Sequence, residues 1–84
     1  MSYRVSIRKQ ALKELQDLPV KESSKIVAAI DNLKEDPRPN GCKKLKGRNG
    51  YRVRVGNYRI VYEIFDKTLV VDVIDIGDRK EIYG

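Results

Sequence analysis

The feature that most constrains the fold of this chain is a change in its hydrophobic period at Gly50. Before that residue, apolar side chains recur at the spacing of an α-helix, first over 11–18 and again over 20–33. After it, apolar and polar residues alternate with a period of two over 51–55, which is typical of a half-buried strand. Gly56-Asn57 then gives a strong signal for a two-residue hairpin turn. The sequence therefore predicts two helices followed by hairpin-linked strands.

The remaining elements complete an α+β layout in a single domain over 1–84. Residues 3–7 alternate and predict a first strand, and Leu18-Pro19 separates the two helices. The second helix has a predicted apolar face made of Val20, Ile26, Val27, Ile30 and Leu33. Residues 37–50 predict a loop that Leu45 attaches to the core. The expected order is β-α-α-β-β-β, a mostly antiparallel sheet with both helices packed on one face.

The composition excludes several classes of site. The chain has no His and one Cys, so neither a Cys/His zinc site nor an internal disulfide can form. Catalysis by Ser-His-Asp or Cys-His arrangements is excluded as well. No apolar run resembles a signal peptide or a membrane span, so we expect a cytoplasmic protein that makes no membrane contact. We expect no cofactor and no metal.

The predicted hairpin places three arginines on one face of the sheet. A two-residue loop at 56–57 puts Val55 opposite Tyr58 and Arg54 opposite Arg59. The apolar side chains of both strands then share the core face, and Arg52, Arg54 and Arg59 share the outer face. Like charges directly opposite each other destabilise a sheet by up to about 1 kcal/mol. Packing therefore does not explain the arrangement, whereas an anion-binding site does, because arginine presents a planar fork of donors to phosphate.

The last predicted strand, 69–76, leads the chain back to these arginines. A turn at Asp66-Lys67 pairs Ile64 with Leu69 and ends the strand beside the hairpin turn. Arg79 and Tyr83 follow from there and can reach the same cationic surface. This register points Asp75 to the core face, a misfit that a bulge or the strand end would resolve.

Basic residues are concentrated around this surface, which favours a phosphate-bearing partner. No acidic residue occurs in 37–59, and its basic residues are Arg38, Lys43, Lys44, Lys46, Arg48, Arg52, Arg54 and Arg59. Arginine and tyrosine without histidine suit RNA cleavage by the RNA's own 2′-hydroxyl. The same residues also suit a domain that only binds RNA or an acidic protein. Residue types and geometry leave these alternatives open.

Three stretches of the chain resemble the RelE toxins of bacterial and archaeal toxin–antitoxin pairs. They are DPRPNGCKKLKG, YRVRVGNYRIVYEI and VVDVIDIGDRKEIY, and the resemblance extends over about 2–83. ParE toxins belong to the same superfamily and share the fold and much of the second stretch. The resemblance implies a RelE-like fold and a ribosome-dependent endonuclease that cuts mRNA in the A site, without a metal, leaving a 2′,3′-cyclic phosphate.

The family's functional positions match residues of this chain one by one. The resemblance implies catalytic roles for Arg52, Arg54, Arg59, Arg79 and Tyr83. It implies ribosomal RNA contacts for Lys43, Lys44, Lys46 and Arg48. The best-known RelE has lysines at the first two catalytic positions, so the identity of a general base is open here. The spacing from Arg79 to Tyr83 is also shorter than in that member.

The resemblance implies partners and leaves alternatives for the function. It predicts a RelB-like antitoxin that wraps the toxin, contact with the ribosome and mRNA, and binding to operator DNA only through the antitoxin. A second hypothesis is a ParE-like inhibitor of DNA gyrase without nuclease activity. A third is a simple RNA-binding module, which would bind RNA with a steep salt dependence.

Overall fold

The computed structural model describes residues 2–45 and 49–78 and has two helices and a five-stranded sheet. In chain order the elements are β1 (Arg4–Ile7), α1 (Lys9–Gln16), α2 (Val20–Leu33), β2 (Lys43–Lys44), β3 (Gly50–Val55), β4 (Tyr58–Phe65) and β5 (Val70–Asp78). The predicted α+β class is confirmed. None of the helices in these two ranges is long and apolar enough to cross a membrane.

The sheet has the strand order β1-β5-β4-β3-β2. β1 pairs with β5 in parallel, and the other neighbours are antiparallel. The short strand β2 lies inside the segment that was predicted to be a loop, where it pairs Lys43 with Arg52 and Lys44 with Tyr51. Two consecutive lysines have no β propensity, so nothing in the local sequence indicated this strand.

Both helices cover the same face of the sheet, as predicted. The buried core contains Ala11, Leu15, Ile26, Ile30, Leu33, Ile60, Tyr62, Ile64, Val71, Val73 and Ile76. The predicted apolar face of α2 was wrong at two positions, because Val20 is 80% exposed and Val27 is 51% exposed. Ile26 and Ile30 lie one turn apart and define the buried stripe, from which Val27 is rotated by about 100°. Val20 lies in the first turn of α2, where that stripe has not yet begun.

The β3–β4 hairpin has the predicted register at every position. Val55 pairs with Tyr58, Arg54 with Arg59, and Tyr51 with Tyr62. The two-residue loop requires a residue that tolerates a left-handed backbone, and Gly56 has a φ of 60°. This local turn is sufficient to align both strands.

The register of β5 was predicted wrongly. The turn after β4 contains two more residues than expected, and Leu69 has a left-handed φ of 55°. Ile64 therefore pairs with Val71 instead of Leu69. The shift by two residues still leaves Val71 and Val73 on the core face.

A bulge in β5 resolves the misfit at Asp75. Tyr62 pairs with Val73 and Val61 pairs with Asp75, so Ile74 is the extra residue on the bulged strand. From that point the alternation of β5 is reversed, and Asp75 lies on the outer face. β5 then ends with Asp78 paired to Tyr58, beside the hairpin turn as expected.

Candidate nucleic-acid interface

Four basic residues converge on the outer face of the sheet, the face that the helices leave open. Lys43 on β2 pairs with Arg52 on β3, and Arg54 on β3 pairs with Arg59 on β4. Because residues of paired strands at the same level lie on the same face, these four side chains are neighbours. We call them the cationic cluster.

The cationic cluster surrounds a cavity of about 300 Å³. The described residues that line it are Asn40, Gly41, Lys43, Arg52, Val53, Arg54 and Arg59. β2 runs antiparallel to β3, so the residues that precede Lys43 lie near the part of β3 that follows Arg52. These residues form the second wall of the cavity. The cavity is thus bounded by arginines on one side and by a turn on the other.

The members of the cluster differ in their exposure. Arg54 is exposed and Arg52 half-buried, as expected for an outer face, but Arg59 is only 4% exposed. Arg59 is buried because it lies on an inner strand, between Arg54 and Gly77. A charge in these surroundings is screened less by water and attracts an anion in the cavity more strongly than an exposed charge does.

The turn that forms the second wall of the cavity is held in place by a group of polar residues outside the cavity. The Arg38 guanidinium donates to Asp66, with Nη2 2.9 Å from Oδ2, and the Tyr3 hydroxyl donates to the same carboxylate at 2.7 Å. Arg38 also lies over the Tyr51 ring, 5.2 Å from its centroid. The buried Tyr62 hydroxyl donates to the Pro37 carbonyl at 2.8 Å. These bonds fasten the chain immediately before Asn40.

The pKa values in this group follow from its hydrogen bonds and burial. The bond from Arg38 holds the pKa of Asp66 below its ordinary value, and the bond from Tyr3 adds to this effect. The bond to Asp66 raises the pKa of Tyr3. Burial raises the pKa of Tyr62 well above its usual range, with the Cys42 thiol contributing. At neutral pH, Tyr62 is therefore a neutral hydrogen-bond donor that supports the loop.

The other half of the outer face carries the carboxylates of Glu63, Asp72 and Asp75, two of which are paired with Arg8, and we call it the acidic half. Arg8 forms ion pairs with Asp72 at 3.0 Å and with Glu63 at 3.5 Å, and the Ser6 hydroxyl donates to Asp72. Asp75 lies on the same side of the sheet because of the bulge. Across residues 2–45 and 49–78, no group of three or more His, Cys, Asp or Glu residues is arranged to hold a metal ion.

The structure brings together some of the predicted site residues and separates others. Arg52, Arg54, Arg59 and Lys43 form the cationic cluster, whereas Lys44 pairs with Tyr51 and lies on the opposite face of the sheet. Four further predicted site residues lie outside the described part of the chain, namely Lys46, Arg48, Arg79 and Tyr83.

Sequence reasoning missed two residues of the cavity and wrongly placed Arg38 on the cationic surface. Asn40 and Gly41 were included only in a loop, although both line the cavity. In the sequence, Asn40 and Gly41 form an Asn-Gly pair beside a run of basic residues. Such a pair predicts a turn but does not indicate where in the fold the turn lies. Arg38 belonged to the predicted basic surface, but it is bound to Asp66.

Comparisons with known proteins give matches along almost the whole chain. A family model described as the ParE toxin of type II toxin-antitoxin system, parDE, matches residues 5–83. The mRNA interferase toxin RelE of Escherichia coli strain K12 is 31% identical over 89 residues, which cover 100% of this chain and 93% of that protein.

Solved structures give the same result. A chain of the archaeal RelE-RelB complex from Pyrococcus horikoshii OT3 has a TM-score of 0.85 at 34% identity, covering 94% of this chain and 97% of that one. A chain of the RelB-RelE antitoxin-toxin complex from Methanococcus jannaschii has a TM-score of 0.73 at 32% identity, covering 92% and 93% of the two chains.

Proposed function

We propose that this chain, which belongs to the RelE/ParE superfamily of type II toxins, is an endoribonuclease that cuts mRNA in the ribosomal A site and so stops translation. The observation that carries this proposal is the cationic cluster around one cavity in the outer face of the sheet. A cleft lined by arginines suits a phosphodiester, because guanidinium groups bind phosphate oxygens through two parallel hydrogen bonds. The relative named as an mRNA interferase supports the same reaction.

In the proposed reaction, the RNA supplies its own nucleophile. The 2′-hydroxyl oxygen attacks the neighbouring phosphorus, the bond to the 5′-oxygen breaks, and a 2′,3′-cyclic phosphate and a 5′-hydroxyl result. Negative charge grows on the phosphate oxygens in the transition state. Arg52, Arg54 and Arg59 would bind those oxygens more strongly at that point than in the ground state, which lowers the barrier.

Two further residues complete the proposal from the end of the chain. β5 ends at Asp78, which pairs with Tyr58, the residue before Arg59 of the cationic cluster. We assign to Arg79 a contact with the scissile phosphate or assistance to the leaving group. We assign to Tyr83 base stacking or the relay of a proton. Lys44, Lys46 and Arg48 would contact ribosomal RNA, with Lys43 contributing at the rim of the cavity.

The proposed partners are a cognate antitoxin, the ribosome and mRNA. Two solved relatives are described as complexes of RelE with RelB, and this supports a RelB-like antitoxin that wraps the toxin. Acidic residues of that antitoxin would neutralise the excess of 18 Lys and Arg over 12 Asp and Glu. Operator DNA would be bound only through the antitoxin, in the cytoplasm.

Primer extension on a defined mRNA tests the function directly. The mRNA is incubated with purified protein in a cell-free translation reaction, and the same RNA is incubated with protein but without ribosomes. We expect breaks at codon positions only when ribosomes are present, and we expect Arg79→Ala to abolish them without loss of the fold. Intact RNA in both reactions, with folded and toxic protein, would overturn the nuclease proposal.

A ParE-like inhibitor of DNA gyrase is the second candidate. It is favoured by the description of the family model that matches residues 5–83. A gyrase supercoiling assay with the same protein distinguishes the two candidates. Inhibition of supercoiling, with mRNA left intact and toxicity unaffected by Arg79→Ala, would favour the inhibitor.

A further inference from the structure

The second wall of the cavity is a tight turn formed by 39–42. The backbone N–H of Cys42 donates to the Pro39 carbonyl at 3.0 Å, which closes the turn. Gly41 has a φ of 88°, the left-handed value that a type II turn requires at its third residue. Asn40 therefore occupies the second position, at the corner of the turn, and lines the cavity opposite the arginines.

Asn40 differs chemically from the other described residues of the lining. Arginine and lysine side chains only donate hydrogen bonds, and the side chains of Val53 and Gly41 offer none. Among the described residues that line the cavity, Asn40 alone has a side chain that both donates and accepts. A phosphate needs only donors, whereas the edge of a nucleobase presents donors and acceptors together.

The part of the fold that the structure describes does not engage the Asn40 side chain. It is exposed, and no other residue in the described ranges forms a hydrogen bond with it. Its backbone position is nevertheless fixed from both sides. Arg38 and Pro37 anchor the chain before it through Asp66 and Tyr62, and the pairing of Lys43 with Arg52 anchors the chain after it. The backbone of Asn40 is thus anchored at the rim of the cavity, and its side chain keeps its full hydrogen-bonding capacity.

We propose that Asn40 is a specificity-determining residue whose side-chain amide reads one base of the bound RNA next to the phosphate held by the cationic cluster. Phosphate contacts position a nucleic acid and base contacts give sequence preference, and the two walls divide these tasks. The inference rests on the proposed endoribonuclease function. It adds the group that selects where the RNA is cut.

The test compares cleavage maps of the wild-type protein and two Asn40 variants. The substrates are mRNAs with all four bases at each position around the cut, in the ribosome-containing reaction. Asn40→Ala is expected to reduce discrimination between bases about tenfold at one position, with a much smaller change in total cleavage. Asn40→Asp keeps the shape but only accepts, so its preference is expected to move toward bases that present an amino group at that position.

Two other variants separate base reading from general effects. Lys43→Ala removes a cation from the same cavity and is expected to lower cleavage at all sites equally. Asn32→Ala removes an exposed asparagine on α2, far from the cavity, and is expected to leave the map unchanged. Thermal melting of each variant confirms that the fold is intact.

The outcomes distinguish this inference from the function on which it rests. If the wild-type protein cuts no RNA, the proposed function fails and the inference fails with it. If the wild-type protein cuts with a base preference that Asn40→Ala and Asn40→Asp retain, only the inference is overturned. A loss that is uniform across all sites in Asn40→Ala would also overturn it, because it would reflect phosphate binding or turn geometry.

Discussion

Asp66 connects parts of the chain that are far apart in the sequence. Its carboxylate accepts hydrogen bonds from Tyr3 before β1 and from Arg38 after α2, while Asp66 itself follows β4. One exposed residue thereby holds the loop that carries Asn40 against the sheet. The sequence contained no signal for this role, because an Asp in a turn is ordinarily a turn former.

Replacement of Asp66 by Asn should lower stability at neutral pH and have little effect in acid. Arg38 and Tyr3 stabilise the ionised carboxylate, so the folded pKa lies below the ordinary value of 3.8. The contribution is fully present above that value and is lost as the pH falls through the lowered folded pKa. Thermal melts of wild type and Asp66→Asn from pH 7 to pH 2 should therefore converge at the acid end.

Asp31→Asn is the matched control, since it breaks an exposed ion pair with Lys34 at the C-terminal end of α2. Such pairs contribute little, so this variant should melt close to wild type throughout. A constant difference between wild type and Asp66→Asn down to pH 2 would contradict the proposed ionic origin.

Arg54 should show a conflict between stability and function. It lies directly opposite Arg59, and like charges in this position destabilise a sheet by up to about 1 kcal/mol. Arg54→Thr is therefore expected to leave the free energy of unfolding unchanged or raise it by that amount, while mRNA cleavage falls. Urea unfolding and the primer-extension assay measure the two quantities, and lower stability with normal cleavage would contradict the expectation.

Among the elements, the β3–β4 hairpin depends most on one residue. Gly56 has a φ of 60°, and a Cβ built there would meet no other atom within 4 Å. The cost of a substitution thus comes from the backbone alone. Gly56→Ala should destabilise the protein by about 1 kcal/mol, and Gly56→Asn by less, because Asn tolerates the left-handed region. Urea unfolding of both variants gives the ranking, and equal losses would indicate a different cause.

The hairpin and β5 show what the sequence can and cannot predict. The Gly56-Asn57 turn determines the register of the β3–β4 hairpin locally. Every residue pair of the hairpin, starting with Val55–Tyr58, could therefore be predicted from that turn. The register of β5 depends on a left-handed Leu69 and a bulge at Ile74, and neither residue type favours those conformations. Pairing with β1 and packing under α1 override the local preference at these positions.

The candidate site followed the same pattern. The arginines of the cluster came from the hairpin register, so their common face was predictable. The turn that carries Asn40 lies beside these arginines only because β2 pairs with β3. The two lysines of β2 do not predict that pairing. The burial of Arg59 likewise depends on its position within the assembled sheet.

For the molecule as a whole, the outer face is divided into a basic and an acidic half. The cationic cluster lies toward β2 and β3, and Glu63, Asp72 and Asp75 lie toward β5. RNA that follows the sheet should therefore run along the β2–β3 edge and avoid the strands beyond β4.

The salt dependence of RNA binding should report the number of phosphate contacts in the basic half. Four cations that contact phosphates of single-stranded RNA predict a slope of about −3 for the logarithm of the association constant against the logarithm of the salt concentration. Each substitution of one of these cations by Ala should reduce the magnitude of the slope by about 0.7. Fluorescence anisotropy with a short RNA whose 2′-hydroxyls are methylated measures binding without cleavage. Glu63→Gln, in the acidic half, should leave the slope unchanged; a slope near zero for wild type would contradict phosphate binding by the cluster.

The parallel pairing of β1 with β5 has a consequence for how the protein is made. Arg4 pairs with Val70, so the first strand to leave the ribosome has no neighbour until the last one follows it. Helix α1 packs on β5, so this helix cannot complete its packing before β5 takes its place in the interior of the sheet, between β1 and β4. Contacts this distant in sequence form late. The β1 edge of the sheet is therefore expected to form after the β3–β4 hairpin, whose strands are joined by a two-residue turn.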